Sequence, residues 1–167
     1  MRATDARPHL LNVDEAAAFA DRVRARGHRI VFTNGVFDVL HPGHVRYLRE
    51  ARALGDALIV AVNADESVRL NKGPDRPINP ADERAELLLA LEAVDAAVIF
   101  DEETPHAIVS RIRPNILVKG EDWEADRIVG RDVVEAAGGR VVRMPISPGH
   151  STSDLVRRIR ALKGSRQ

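Results

Sequence analysis

Apolar residues recur along this chain in two alternating rhythms. Five short runs are continuous and rich in β-branched residues: RIVFT at 29–33, ALIVAV at 57–62, AVIF at 97–100, ILV at 116–118 and RVVRM at 140–144. A run without polar alternation signals a strand buried on both faces. Between the runs, apolar positions fall at helical spacing over 43–54, closed by Gly55; 80–94, opened by Asn79-Pro80; 105–113, opened by Thr104-Pro105; and 130–137, closed by Gly138-Gly139. A lead-in helix precedes them: Asn12 can cap it, Glu15 stands at the capping-box position, Phe19 and Val23 share a face, and Gly27 stops it. A last helix starts at Ser151 and runs to about Leu162.

Strand and helix therefore alternate throughout, which predicts an α/β fold: a three-layer, Rossmann-like, parallel five-stranded sheet with helices on both faces. In open parallel sheets, ligands bind at the carboxyl ends of the strands where the strand order reverses. The length of 167 residues fits one domain, 1–167, with the lead-in at 1–28 and the core at 29–163. Only the ends, 1–9 and 164–167, read as loose.

Lys+Arg and Asp+Glu are both 25, so the net charge is zero and no basic footprint for nucleic acid exists. The expected partner is a small molecule. The absence of cysteine excludes disulfides and thiolate metal sites and fits a reducing compartment. No apolar run approaches the roughly 18 residues of a membrane span, and the N-terminus has no signal-type apolar core, so the expected location is the cytoplasm.

Neither G-x-x-x-x-G-K-[ST] nor a strand followed by G-x-G-x-x-G occurs, so phosphate would need another device. One stands at the end of the first strand. Asn34-Gly35 allows a sharp turn, and Pro42-Gly43 opens a helix whose first amides lack internal partners and attract anions. His41 and His44, spaced i,i+3, share a face at that end and can both donate to a phosphate. Two other readings stand beside this one: a cap or surface histidine, and a two-histidine, one-carboxylate metal set with Asp38.

Further along, Lys119 follows the buried ILV strand at a carboxyl end where ligand sites gather. Lys72 lies in NKGPDRP, a Gly/Pro-punctuated loop, and is either solvated or part of a lid. Asp38 and Asp65 follow the first two strands and could accept from sugar hydroxyls or hold hydrated Mg²⁺. Arg84 either reaches phosphate or sits solvated on an exposed helix face. Ser151 is a natural N-cap, though three successive hydroxyls exceed what a cap needs.

HPGH fits the H-x-G-H signature of the nucleotidyltransferase superfamily, and TNGVFDVLHPGHVRYLREARALGDALIVAVNAD resembles its cytidylyltransferase-like branch. KGPDRPINPADERAELLLALEAVD, ILVKGEDW, IVGRDVVEAAGGRVV and PGHSTS, in that order, resemble the D-glycero-β-D-manno-heptose 1-phosphate adenylyltransferases over nearly the whole chain. The resemblance implies a nucleotidyltransferase fold and adenylyl transfer from ATP, accompanied by Mg²⁺, to a sugar 1-phosphate for lipopolysaccharide precursor synthesis. It also implies a homo-oligomer, expected to be a dimer. In many bacteria this activity is fused behind a sugar kinase, so a stand-alone form is expected here. Carried over by position, Thr33, Asn34, Gly35, Val36, Phe37 and Gly43 would line the nucleotide site. His41, His44 and Lys72 would be catalytic, with Lys72 neutralising phosphate charge. Lys119 and Gly120, continuing to Asp122 and Trp123, would lie beside the nucleotide and the sugar phosphate. Ser151, Thr152 and Ser153 would form the phosphate-binding turn. His150 and Ser153 stand where the family commonly has Tyr and Thr. Two rival readings are a CTP-dependent cytidylyltransferase acting on glycerol 3-phosphate or a similar alcohol phosphate, and a catalytically silent nucleotide-sensing module.

Overall fold

A computed structural model of the chain describes residues 9–145, 149 and 151–164. His150 lies outside the described residues, as do 1–8 and 165–167 of the expected loose ends. Within the described residues the chain runs β1 (His9–Leu11), α1 (Val13–Ala25), β2 (Ile30–Gly35), α2 (Pro42–Ala53), β3 (Ala57–Asn63), α3 (Asp65–Lys72), α4 (Ala81–Leu89), β4 (Ala96–Phe100), α5 (His106–Ile112) and β5 (Ile116–Gly120). A 3₁₀ turn (Ala125–Arg127), α6 (Arg131–Ala136), β6 (Arg140–Met144) and α7 (Thr152–Gly164) complete it.

The strands form one parallel sheet in the order β1-β4-β3-β2-β5-β6. From β2 the chain winds outward through β3 and β4, then returns to the other side of β2 for β5 and β6. The order thus reverses at the β2–β5 boundary, where a cleft is expected. Successive strand residues point to opposite faces. Phe32, Ile59, Val98 and Leu117 pack with Ala16, Ala20, Ile108, Ile112 and Val134 of α1, α5 and α6. Val31, Leu58, Val60 and Val118 pack with Leu48, Ala51 and Leu88 of α2 and α4. Burial on both faces is the reason these strands read as unbroken apolar runs.

The α/β class and parallel sheet agree with the sequence expectation, but the sheet has six strands, not five. β1 is three residues long, lies at the edge and among the described residues pairs only with β4, with His9 and Leu10 exposed. A strand that short, outside the core, leaves no hydrophobic period. The lead-in helix is capped as expected: Glu15 N donates to Asn12 Oδ1 at 2.9 Å and Asn12 N donates to Glu15 Oε2 at 2.8 Å. The helix expected over 80–94 ends at Leu89, because the chain tightens into turns closed by Leu91 N to Leu88 O and Val94 N to Leu91 O. Lys72, expected in a loop, is the last residue of α3, a helix that the sequence reading lacked. No helix among the described residues is long and apolar enough to cross a membrane.

Candidate active site

The end of β2 sets the geometry. Phe37 takes a left-handed backbone (φ 48°), and its ring folds back over Gly35, where an added Cβ would come within 3.0 Å of the ring edge. Gly35 therefore makes room for the ring of Phe37. That ring meets the His44 imidazole edge-on at 5.2 Å.

His41 is the N-cap of α2, with its carbonyl accepting from His44 N (2.9 Å) and Val45 N (3.3 Å) and its Nδ1 accepting weakly from His44 N at 3.4 Å. The two imidazoles stack with centroids 3.7 Å apart and planes 20° from parallel. The cap reading and the phosphate reading of these histidines are therefore compatible: the cap fixes the His41 ring at the start of α2, on the wall of the cleft. Burial, reinforced by the nearby His41, pushes the pKa of His44 down to about 4, so the ring is neutral near pH 7. Its Nδ1 is buried without a hydrogen-bond partner. A proton there would be an unmet buried donor, so the neutral ring carries its proton on Nε2. The bond accepted by His41 Nδ1 places a neutral His41's proton on Nε2 as well. Two stacked imidazoles thus stand at an electropositive helix start, with the neutral His44 able to donate from Nε2, an arrangement that suits phosphate oxygens.

Both rings line a cleft of about 930 Å³ at the carboxyl ends of the strands. From β2 and its loop come Asn34, Gly35, Val36, Phe37 and Asp38; from the start of α2 comes Gly43; from α3 comes Lys72. On the β5 side stand Lys119, Gly120, Asp122 and Trp123, and Ser151, Thr152 and Ser153 approach from the start of α7. The fold thus brings most of the sequence-selected residues together.

Three of them stand apart from the cleft wall. Thr33 is fully buried beneath it, accepting from or donating to Tyr47 Oη at 2.8 Å and donating to Val118 O at 3.0 Å. Arg84 is neither solvated nor turned to a ligand. It is fully buried, and donates to the carbonyls of Asn79, Val36 and Asn63 and to Asp65 Oδ1 at 2.6–2.9 Å. Asp65, the partner of that guanidinium, is committed to the same clamp.

Asp38 lines the cleft but its carboxylate faces inward, 2% exposed, and accepts from Arg76 Nε (2.6 Å), Ile78 N (2.8 Å) and Asn79 N (2.9 Å). Burial works to raise its pKa, but those donors hold it below the usual carboxylate value. It is occupied as an anchor, which removes it from the two-histidine metal set. Among the described residues no three His, Asp or Glu side chains converge to hold a metal ion.

Lys119 is 6% exposed, with Nζ donating to Asn34 Oδ1 at 2.5 Å and lying 5.3 Å from the Trp123 ring centroid. Burial pulls its pKa down to about 8 against the opposing charge of Asp122. Ser151 acts as a cap, its Oγ accepting from Asp154 N at 3.0 Å, and Thr152 Oγ1 donates to Val39 O at 3.4 Å, tying α7 to the loop before His41.

The cleft also holds residues that sequence reasoning missed: Tyr47, Asn63, Asn71, Arg76 and Glu103. Tyr47 follows His44 by the same three residues that separate His41 from His44, so the spacing could have found it. Arg76 shares the punctuated stretch that drew attention to Lys72. Glu103 comes just after the carboxyl end of β4, as Lys119 stands at the carboxyl end of β5, so the strand-end rule could have found it.

The cytidylyltransferase-like family model matches residues 32–158. The chain is 47% identical over 156 residues to a bifunctional protein HldE of Geotalea uraniireducens, covering 93% of this chain and 32% of that one. It is 55% identical over 135 residues to a bifunctional protein HldE of Rhodopseudomonas palustris, covering 81% and 28%. The chain thus spans about a third of the length of the curated relatives it matches. Among solved structures, a lipopolysaccharide core biosynthesis protein from Thermoplasma volcanium aligns with a TM-score of 0.60 at 34% identity, over 72% of this chain and 98% of that one.

Proposed function

The chain belongs to the cytidylyltransferase-like family, and we propose that it transfers the adenylyl group of ATP to D-glycero-D-manno-heptose 1-phosphate, forming ADP-heptose and pyrophosphate. The observation that carries the reading is the 47–55% identity with bifunctional HldE proteins over most of this chain. The stacked histidine pair at the start of α2, with His44 neutral, supports the chemistry. The proposal comprises one domain over 1–167, small-molecule substrates, a cytoplasmic setting where ATP is available, and a homodimer.

A phosphate oxygen of the sugar 1-phosphate attacks the α-phosphorus of ATP in line. The bond to the bridging oxygen breaks, and pyrophosphate leaves with its electron pair. No protein nucleophile is needed, since a phosphate monoester is already anionic, and the protein's contribution is position and charge stabilisation. His41 and His44 donate from Nε2 to the α-phosphate oxygens as charge gathers there. Mg²⁺ bound to ATP would neutralise part of the triphosphate charge. Lys72 acts on the triphosphate, the residues Asn34 to Phe37 and Ser151 to Ser153 border the nucleotide, and Lys119 holds the sugar phosphate as a point charge.

The direct test is pyrophosphate release measured with ATP or CTP against heptose 1-phosphate or glycerol 3-phosphate. Turnover with ATP and the heptose phosphate is expected. Preference for CTP and the alcohol phosphate would replace the reading with a cytidylyltransferase, and nucleotide binding without any pyrophosphate release would leave a sensing module.

Lys119 gives two further expectations. Lys119→Ala should raise KM for the sugar phosphate much more than KM for ATP, and equal shifts would refute its assignment to the sugar side. Because the free-enzyme pKa of Lys119 is drawn down to about 8, kcat/KM should fall as pH rises through that region and the cation is lost. Lys119→Arg, whose guanidinium stays charged, should abolish this alkaline limb. A limb that persists unchanged in that variant would assign it to another group.

A further inference from the structure

The sheet order places β2, which leads into the histidine pair, between β3 and β5. The segment leaving β3 carries Lys72 and Arg76 into the cleft, while the carboxyl end of β5 carries Lys119. Cations therefore approach the histidines from opposite flanks. An in-line displacement has the same layout, with attacking and leaving oxygens on opposite sides of phosphorus.

Arg76 is the best-fixed of these cations. Its Nε donates to Asp38 Oδ2 at 2.6 Å, and its side chain is 19% exposed against 1% for Asp38. Asp38 also accepts from Ile78 N and Asn79 N, while Asn79 Nδ2 donates to Asp38 O at 2.7 Å. Four hydrogen bonds thus stitch the 76–79 loop to the loop that ends at His41, three residues beyond Asp38. The terminal guanidinium nitrogens of Arg76 donate to no other described residue. The Nε edge is thus held against a buried carboxylate while the outer nitrogens stay accessible at the cleft, and a planar fork is suited to two phosphate oxygens at once.

We infer that Arg76, oriented by Asp38, holds the departing pyrophosphate on the flank opposite Lys119. The assignment rests on the nucleotidyltransferase reading. Arg76 touches the leaving group, whereas Asp38 is a positioning residue that acts through it. As the bond between the α-phosphorus and the bridging oxygen breaks, the electron pair passes to the pyrophosphate oxygens, where the guanidinium compensates the added charge.

The test is calorimetric titration of the full chain with inorganic pyrophosphate and magnesium, alongside steady-state kinetics. Arg76→Ala removes both the charge and the loop anchor. Arg76→Gln removes the charge but keeps an amide that can donate to Asp38, so it guards against a folding defect. Both are expected to weaken pyrophosphate binding about 10- to 100-fold, the range for a lost charge-assisted contact, and to lower kcat, while KM for the sugar phosphate stays within about twofold. Asp38→Asn should show the same bias in smaller measure. A folded Arg76→Gln protein that binds pyrophosphate like the wild type, or whose sugar-phosphate KM rises as much as its pyrophosphate dissociation constant, overturns the inference. If the wild type binds pyrophosphate through Arg76 but turns over no sugar phosphate, the site assignment stands and the proposed reaction falls.

Discussion

His44→Ala is expected to lower kcat by at least about 10²-fold, the loss seen when one preorganised transition-state donor is removed, with little change in thermal stability. The two parts of this expectation come from the same geometry. His44 Nδ1 has no partner to orphan, so its removal breaks no side-chain hydrogen bond, and the backbone bond from His44 N to His41 O survives. The ring's contacts are the stack on His41 and the edge of Phe37. What the variant loses is the Nε2–H in the cleft. Because the ring is already neutral above a pH of about 4, the wild type should show no acid limb from His44 between about pH 5 and 7. A histidine acting as a cation would instead lose activity as pH rises through its pKa, so the pH profile separates the two roles. Circular dichroism and a melting curve would establish that the variant is folded; near-normal turnover in such a protein would remove His44 from the chemistry. His41→Ala should add a modest stability loss, at the low end of about 0.5–2 kcal/mol for a cap, since its cap bond is long at 3.4 Å.

The residues that the sequence made legible are those whose local pattern and three-dimensional role coincide. Of the five expected strands, β2 to β5 are buried on both faces, so their apolar runs are continuous, whereas β6 lies at the sheet edge with Arg140 and Arg143 exposed; Asn12 and Glu15 form their capping box within four residues. His41 and His44 likewise meet across one turn. What escaped the sequence depends on partners far along the chain. β1 becomes a strand only through a ladder to β4, some 87 residues away. Asp38 had the look of a ligand-facing carboxylate, but the loop closing on it comes from 76–79. Thr33 lies next to the cleft in sequence, yet strand alternation turns its side chain beneath the floor, against Tyr47. Lys72 could not be placed because α3 has no side-chain N-cap and carries Leu70 exposed, so its pattern lacked both a start signal and a clean apolar face.

Arg84 is the sharpest of these cases, and Arg84→Met is expected to destabilise the protein by about 3–5 kcal/mol, the range for stranding one member of a buried ionic contact. On α4 its position suggested either a phosphate contact or a solvated cation, but it is the largest of the fully buried side chains among the described residues. Its guanidinium reaches three carbonyls, those of Val36 in the loop after β2, Asn63 at the end of β3 and Asn79 before α4, and it closes on Asp65 at the start of α3. Each acceptor belongs to a segment that leads into the cleft. Methionine fills much of the same volume without donating, so the variant isolates the lost hydrogen bonds and charge from a packing defect. Arg84→Lys keeps the charge but reaches fewer of the four acceptors, and should lie between the two. Denaturant unfolding measures the stability change, and wild-type midpoints for both variants would show that the clamp carries no weight. A second consequence separates clamp from simple core residue. Where Arg84→Met remains folded at low temperature, the loops bearing Val36 and Asn79 are released together with the anchor that Asp38 provides for Arg76. Pyrophosphate binding should then weaken along with stability, whereas a core substitution such as Ile112→Val, under α5 on the other face of the sheet, should cost stability alone.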